Sequence, residues 1–451
     1  MFENPPSLKA FPSTEFASPA LPFEEWTPRA TLPDDQESLD EKASQEPVTV
    51  THLAGAPDGG LTAWLVVVAV NLVLFSSFGM ANAWGVFQAY YEENLLRDTS
   101  PSYIAWIGSA QYALVYLPAL VTGRMFDLGY FKIPCFSASC VIVACTFITA
   151  ECTQYWHFFL VQGLGMGLCC GIMVGPALVV VSHWFNRKRG LAMSLAAIGA
   201  SIGSTVFPAA AQKLIPLIGF KWTMRVFGFI LLTTLGLANL LLKRRLPPVN
   251  VRGGLFNLNV FRNTAYTIFC FAGILSFLGL YTELTYISVS AVTIGVSKGF
   301  AFYIIAIANA ASTFGRVSSG LLADKIGALN TMAAFTAIAG IMTFAWPFAK
   351  NESQLIGIAA VYGFSTGGFV ALFSVAVVAM GNIEDAGRRV GMFMSIAALG
   401  AIAGPPISGA ISTASGGFVD AGYYAGGVIM CAAGLLLLAR CIHLGHLWGK
   451  C

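Results

Sequence analysis

The sequence predicts an all-α membrane protein with twelve transmembrane helices in two parallel six-helix repeats. Three observations support this prediction. Of the 451 residues, 56% are hydrophobic and 10% are charged, whereas soluble globular chains carry about 25% charged residues. Apolar runs of about 20 residues recur, each long enough to cross a hydrocarbon core about 30 Å thick as a helix. Finally, one block of sequence occurs twice.

The repeated block is MSLAAIGASIG at 193–203 and MSIAALGAIAG at 394–404, which are identical at seven of eleven positions. RKRG at 187–190 likewise recurs as RRVG at 388–391. Six helices per copy return the chain to the same side of the membrane, so both copies have the same orientation, an architecture used for alternating access. Each block also contains a GxxxG pair, which lets helix backbones approach closely in lipid.

Twelve apolar stretches justify the predicted helices in chain order. The first six are expected near 62–87, 103–122, 132–150, 156–182, 190–212 and 222–242. The second six are expected near 265–291, 299–322, 329–348, 354–380, 390–413 and 421–442. These stretches predict a six-helix bundle at 58–242, a charged and proline-broken linker at 243–263, a second bundle at 264–442 and a tail at 443–451.

The first 57 residues contain ten acidic and three basic residues and many prolines, which predicts a disordered acidic tail. They show no basic start followed by an apolar core, so no cleaved signal peptide is expected. The connections between the stretches carry fifteen basic residues on one side and five on the other. The positive-inside rule therefore predicts a multi-pass protein of the cell membrane, or of an internal membrane such as the vacuole, with both termini cytoplasmic.

Cofactors and enzymatic activity are not expected. The ten cysteines form no CxxC pair and no histidine lies at ligand spacing, so neither a metal site nor a disulfide framework is predicted. No P-loop, Ser-His-Asp or HExxH signature occurs. The expected partners are a small organic molecule as substrate and membrane lipid, not nucleic acid, and the chain is expected to be a monomer.

GRMFD at 123–127 recurs as GLLAD at 320–324. This G-x-x-x-D pattern after the second and eighth helices resembles the loop signature of the major facilitator superfamily, over roughly residues 58–442. The resemblance implies a conformational gate that holds the two halves together in one state. Its members would be Asp127 and Asp324, with Arg189 and Arg389 as counter-charges.

PDGGLTAW at 57–64 is similar to the entry motif of the monocarboxylate-porter family, especially of its fungal members. The segments at 183–203 and 315–327 are similar to that family's fourth-to-fifth-helix and eighth-helix segments. The resemblance implies that Arg316 receives a substrate carboxylate. Proton-linked members carry Asp where this chain has Ser312 and Lys where it has Asn82, so their proton relay is incomplete here.

Arg316 is also informative by itself, because a buried arginine in a membrane costs on the order of 3 kcal/mol or more. It lies eight positions before Asp324, hence about 12 Å inside the end of the helix. Asn309, Ser312 and Arg316 share one helical face, which favours substrate binding. An arginine held in a structural ion pair is the alternative.

Glu283 is the other isolated charge in a predicted span, and Tyr286 shares its helical face. Intramembrane carboxyl groups can mark proton relays, so Glu283 is a relay candidate that would line a water-filled cavity; a hydrogen-bonding residue at an outer gate is the other interpretation. Asn82, Tyr286 and Tyr362 complete the predicted substrate site, with interhelical hydrogen bonds as the alternative. Asn351, in the sequon NES, is a glycosylation candidate.

These observations favour a secondary active transporter that moves an organic acid or secondary metabolite by alternating access, in the direction of efflux. The incomplete proton relay and the aromatic, small-residue-rich helices favour a larger substrate. Proton-linked uptake of a small monocarboxylate is the alternative within transport. A membrane sensor that does not transport is the alternative from a different class.

Overall fold

The computed structural model describes residues 55–250, 254–255, 258–446 and 449. Almost all of the predicted acidic tail therefore lies outside the described residues. Within the described ranges the regular structure is entirely helical, and no strand occurs. The predicted fold class, an all-α membrane protein, is confirmed.

The first half of the chain folds into six helices, α1 to α6, among the described residues. They are α1 (Leu61–Asn82, continued by Trp84–Tyr90 and Tyr91–Leu95), α2 (Pro101–Tyr116 and Ala119–Asp127), α3 (Lys132–Thr149), α4 (Tyr155–Phe158, Phe159–Met166 and Gly167–Ser182), and α5 and α6 within Arg189–Leu241. The second half contributes six more. They are α7 (Thr264–Thr293), α8 (Lys298–Ile326), α9 (Ala328–Ala345), α10 (Glu352–Ala379), α11 (Ala386–Ser415) and α12 (Val419–Leu444).

One glycine separates α5 from α6. The run Arg189–Leu241 is 53 residues long, which as one straight helix would measure about 80 Å. Gly219 within it has φ 79° and ψ 162°, a backbone conformation that glycine adopts without steric penalty. Residues 189–218 and 220–241 are therefore two helices, each of a length suited to one crossing.

Ten helical spans in the described part of the chain are long and apolar enough to cross a membrane, with Arg189–Leu241 counted once. The division at Gly219 adds one span. The 29-residue helix α8, about 43 Å long, completes the twelve.

The duplicated GxxxG pairs pack helices within each half. A Cβ atom added at Gly199 or Gly203 on α5 would overlap backbone of α1, at the carbonyls of Asn71 and Phe75. On α11, Gly400 and Gly404 meet α7 in the same way. The repeated block therefore forms a pair of equivalent close contacts, α5 on α1 and α11 on α7. At these contacts glycine is the residue that fits, because it has no Cβ atom.

Candidate transport chamber

Two carboxylates join the halves on the membrane side that carries the α2–α3 and α8–α9 turns, called here the basic side. Asp127 at the end of α2 accepts hydrogen bonds from the backbone N–H groups of Gly387 (2.9 Å) and Arg388 (2.8 Å). These residues begin α11, where backbone N–H groups lack partners within the helix and the helix dipole is positive. Asp127 therefore caps a helix of the other half.

Asp324 at the end of α8 does the same for α5. Its carboxylate accepts from the N–H groups of Gly190 (2.8 Å) and Leu191 (3.0 Å). The glycines of the two G-x-x-x-D segments allow this approach, because a Cβ added at Gly123 or Gly320 would overlap atoms of the facing helix. The basic side is thus closed by two equivalent contacts, α2 on α11 and α8 on α5.

The predicted counter-charge role needs correction for Arg389. Arg389 forms its ion pair with Asp385 (2.8 Å), four residues before it, and also donates to the carbonyls of Val377 on α10 and of Asn382. For Arg389 the reason is geometric: the first N–H groups of α11 point at the Asp127 carboxylate, whereas the Arg389 side chain turns back along the chain.

Arg189 donates to the Phe185 carbonyl and to the Asn186 side chain. The Arg189 guanidinium interacts electrostatically with Asp58 and Asp324, so its counter-charge role stays a prediction.

The entry motif PDGGLTAW forms a clasp on the same side. Asp58 has a left-handed backbone (φ 51°), and its carboxylate Oδ1 accepts from the N–H groups of Asn186 (2.7 Å), Arg187 (2.7 Å) and Lys188 (3.3 Å). Its own N–H donates to the Trp184 carbonyl (3.1 Å). The sequence identified this motif only as a family marker. In the structure the motif binds the backbone that leads into α5.

A chamber of about 100 Å³ lies between the two halves, with Arg316 in its wall. The lining is largely apolar and includes five aromatic rings, and no Asp or Glu lines it among the described residues; the rings belong to Phe78, Tyr116, Phe277, Tyr281 and Phe373. A larger hollow of about 570 Å³ continues toward the opposite side of the membrane, between α1, α5, α7 and α8. The two spaces share Asn82, Ser204 and Asn309 in their walls.

Arg316 is 7% exposed. Its guanidinium donates to Ser312 Oγ (3.3 Å) and to the Ala197 carbonyl (3.1 Å) across the interface between the halves. None of the ion pairs within the described residues includes Arg316. The ion pairs within the described part of the chain therefore give no support to the alternative of a structural ion pair for Arg316.

Three other predicted residues lie in the same wall. Asn82 accepts a hydrogen bond from the hydroxyl of Tyr112 (2.7 Å). Asn309 donates to the Ser204 carbonyl (3.4 Å). Ser312 pairs with Ser201 of the first half (hydroxyl to hydroxyl, 2.9 Å). Asn82, Asn309 and Ser312 thus line the chamber beside Arg316.

Tyr286 and Tyr362 do not line the chamber in this structure, and their role in substrate binding stays a prediction. The Tyr286 hydroxyl donates to the Pro405 carbonyl of α11 (2.9 Å). Tyr362 is fully buried and donates to the Leu280 carbonyl of α7.

Glu283 is fully buried and faces α9, where its carboxylate Oε2 lies 3.3 Å from the hydroxyl of Thr343. It lines neither of the two cavities described above, so the relay role of Glu283 stays a prediction. Glu283 and Tyr286 do share a face of α7, but the chamber takes the opposite face, that of Phe277, Tyr281 and Leu284.

Sequence reasoning missed Tyr116. Its hydroxyl lies 2.9 Å from the hydroxyl of Tyr281, which joins α2 of the first half to α7 of the second inside the chamber. The ring also packs edge-on against Phe277. The signal was present as Tyr112 and Tyr116, two tyrosines four residues apart on one face of a membrane helix.

Asn351 caps α10, where its side chain accepts from the Gln354 N–H (2.9 Å). It is exposed in the short α9–α10 connection. Its glycosylation stays a prediction.

Comparison with known proteins identifies the architecture. Residues 64–352 match the family described as Major Facilitator Superfamily. The chain belongs to the Major Facilitator Superfamily. It is a multi-pass membrane transporter for a small-molecule substrate, as the superfamily resemblance implied.

Superfamily members from fungi align along most of this chain. The "Aspyridones efflux protein apdF" of Emericella nidulans is 34% identical over 409 residues, covering 90% of this chain and 83% of the relative. The "MFS transporter asaE" of Aspergillus flavus is 32% identical over 419 residues, covering 90% and 93%.

Solved Major Facilitator Superfamily structures share the fold. The human organic anion transporter MFSD10 superposes with a TM-score of 0.65 at 15% identity, covering 85% of this chain and 100% of that one. The fucose:proton symporter FucP of E. coli gives a TM-score of 0.64 at 17% identity, with coverage of 84% and 99%. At these identities the likeness concerns the fold alone.

Proposed function

We propose that this protein exports an organic acid or a related anionic secondary metabolite by alternating access. Arg316 is the observation that carries the proposal. It is a buried guanidinium, without an acid partner among the described ion pairs, in the wall of a largely apolar chamber with five aromatic rings between the halves. A forked guanidinium suits carboxylate and other planar oxyanions, and the aromatic rings of the lining suit a conjugated skeleton.

The direction of transport rests on two supports. The relative apdF is named an efflux protein, and its substrate is named as aspyridones. Asn82 and Ser312 stand in the chamber wall at the positions where proton-linked monocarboxylate porters, by the resemblance, carry Lys and Asp. We therefore place efflux before proton-linked uptake.

The remaining assignments belong to the same proposal. The Asp58 clasp supports membership of a monocarboxylate-porter-like branch, since the entry motif is the branch's marker. We further propose a lipid-embedded monomer in the cell membrane with both termini and the basic side in the cytoplasm, as the distribution of Lys and Arg indicates. The domain boundaries at 58–242 and 264–442 follow the two sets of six helices.

The test is an untargeted comparison of metabolites inside and outside cells that express the wild-type chain, an Arg316→Gln variant or no transporter. We expect the exported compounds to be acids, and their export to fall about 10- to 100-fold in Arg316→Gln, because a charge-assisted hydrogen bond contributes about 1.5–3 kcal/mol. Arg225→Gln is the matched control, because Arg225 pairs with Glu151 away from the chamber.

Three outcomes would contradict this proposal. Accumulation of acids inside expressing cells would replace efflux by uptake. Absence of flux in reconstituted vesicles for every compound tested would favour a sensor. Equal export by Arg316→Gln and Arg225→Gln would remove Arg316 from the substrate site.

A further inference from the structure

Helix α2 is interrupted between its two pieces, at Leu117 and Pro118. Proline has no N–H group and its ring displaces the preceding turn. After the break the N–H of Val121 bonds to the Pro118 carbonyl (3.0 Å). The regular helical partners of the Leu117 carbonyl and of the Leu120 N–H are thereby lost, and a backbone polar group at membrane depth needs another partner within the protein.

Ser395 of α11, in the other half, supplies both partners. Its hydroxyl donates to the Leu117 carbonyl (2.8 Å) and accepts from the Leu120 N–H (3.1 Å). One hydroxyl has one hydrogen and two lone pairs, so a single serine can make both bonds. The Tyr116 carbonyl is a third neighbour, at 3.4 Å.

A close backbone contact between α2 and α11, on the basic side of the break, holds Ser395 in place. Gly387, Gly391 and Ser395 are spaced by four residues and so lie along one face of α11. A Cβ added at Gly391 would overlap the Ala119 carbonyl, and one at Gly387 would overlap the Gly123 carbonyl. The two helices therefore touch backbone to backbone on the basic side, and the hydroxyl is directed into the break.

The other copy of the repeat lacks this arrangement. Ser194 occupies the equivalent position in the duplicated block, and its buried hydroxyl has no hydrogen-bond partner among the described residues. It faces Gly320 on α8, a helix that runs unbroken from Lys298 to Ile326. Gly315 of α8 stands where α2 has Pro118, so no free backbone groups are presented to Ser194.

We propose that Ser395 is a positioning residue of the transport cycle, whose hydroxyl stabilises the closed basic side by completing the broken turn of α2. When the halves separate there, the Leu117 carbonyl and the Leu120 N–H lose this partner, whereas the Ser194 contact breaks without losing a hydrogen bond. The inference assumes the alternating access of the proposed function, but it concerns the gate and not the cargo.

Hydrogen–deuterium exchange of the full-length protein in lipid nanodiscs tests this without a substrate. We expect Ser395→Ala to speed exchange about 5- to 10-fold in segments 117–123 and 386–391, the effect of losing about one net hydrogen bond. Ser194→Ala, the matched control, should change segments 190–194 and 319–324 less than about twofold. Ser395→Thr should keep the wild-type pattern.

A Pro118→Ala background sharpens the test. Alanine restores an N–H to α2 and lets a regular turn form, so Ser395→Ala should then change exchange less than about twofold. Equal changes in exchange in Ser395→Ala and Ser194→Ala would overturn the proposal. Faster exchange throughout α9 and α12 in Ser395→Ala would also overturn it, because it would indicate general destabilisation of the protein. If Ser395→Ala does not fold, Ser395→Cys takes its place, and a wild-type pattern in that variant would also overturn it. None of these readouts depends on whether Arg316→Gln stops export.

Discussion

Arg316 and Glu283 are both buried ionisable residues of the second half, but their surroundings differ. The guanidinium of Arg316 faces the chamber, whereas the carboxyl group of Glu283 faces Thr343 inside the bundle of the second half. Sequence alone showed that both are exceptional, because a charge in a membrane helix needs a purpose. Which face of α7 meets the chamber depended on packing between the halves, so sequence alone did not show that Glu283 faces away from it.

Glu283→Gln is the variant that tests the relay prediction. Glutamine has nearly the same shape and can still bond to the Thr343 hydroxyl, so we expect export to stay within about twofold of wild type. Because Glu283 lines no described cavity, we also expect the pH dependence of export to be unchanged. Transport in vesicles across a range of pH values measures this.

A Glu283→Gln transporter that had lost its pH dependence would support the relay role. Thr343→Val serves as the companion variant, because it removes the hydroxyl partner of Glu283 and leaves its carboxyl group in place.

At the scale of elements, the duplicated block could be interpreted from sequence because paired glycines in a membrane helix let a neighbouring helix backbone approach closely. Both GxxxG pairs were expected to bring helices together, and both do, on α1 and α7. The break in α2 could not be found this way. Pro118 marked a possible kink, but the partner of the freed backbone groups lies 277 positions further on, at Ser395.

Gly404→Ala should destabilise the protein, because the added methyl group would meet the backbone of Leu278 on α7. Overpacking of this kind costs about 1–3 kcal/mol. Gly427→Ala in α12 is the control, since nothing lies within 4 Å of a Cβ there. Thermal unfolding in detergent should show a lower midpoint for Gly404→Ala and an unchanged or higher one for Gly427→Ala; equal midpoints would contradict the close-contact interpretation.

For the whole molecule, the structure shows one state of the cycle, closed on the basic side and hollow toward the other. The two aspartate caps hold that state from opposite edges of the interface. The sequence predicted which aspartates matter from the repeated G-x-x-x-D. It did not predict the backbone N–H donors, because which helix N-terminus faces which aspartate depends on how the halves pack.

Asp127→Ala and Asp324→Ala should each weaken the closed state by about 0.5–2 kcal/mol, the usual effect of losing a helix cap. Exchange of segment 386–391 reports on the first, and exchange of segment 189–194 on the second. Because both caps stabilise the same state, we expect the double variant to show the product of the two single effects. Asp98→Ala, at an exposed loop position, is the control, and faster exchange in that variant would show that the effect is not specific to the caps.

The solitary guanidinium in the chamber has an electrical consequence. An empty carrier holds a positive charge within the membrane field, and a monoanion seated beside Arg316 cancels it. Moving one elementary charge across the full field is worth about 2.3 kcal/mol per 100 mV. The voltage sensitivity of the cycle should therefore fall mainly on the return of the vacant carrier, while the occupied carrier reorients almost independently of membrane potential.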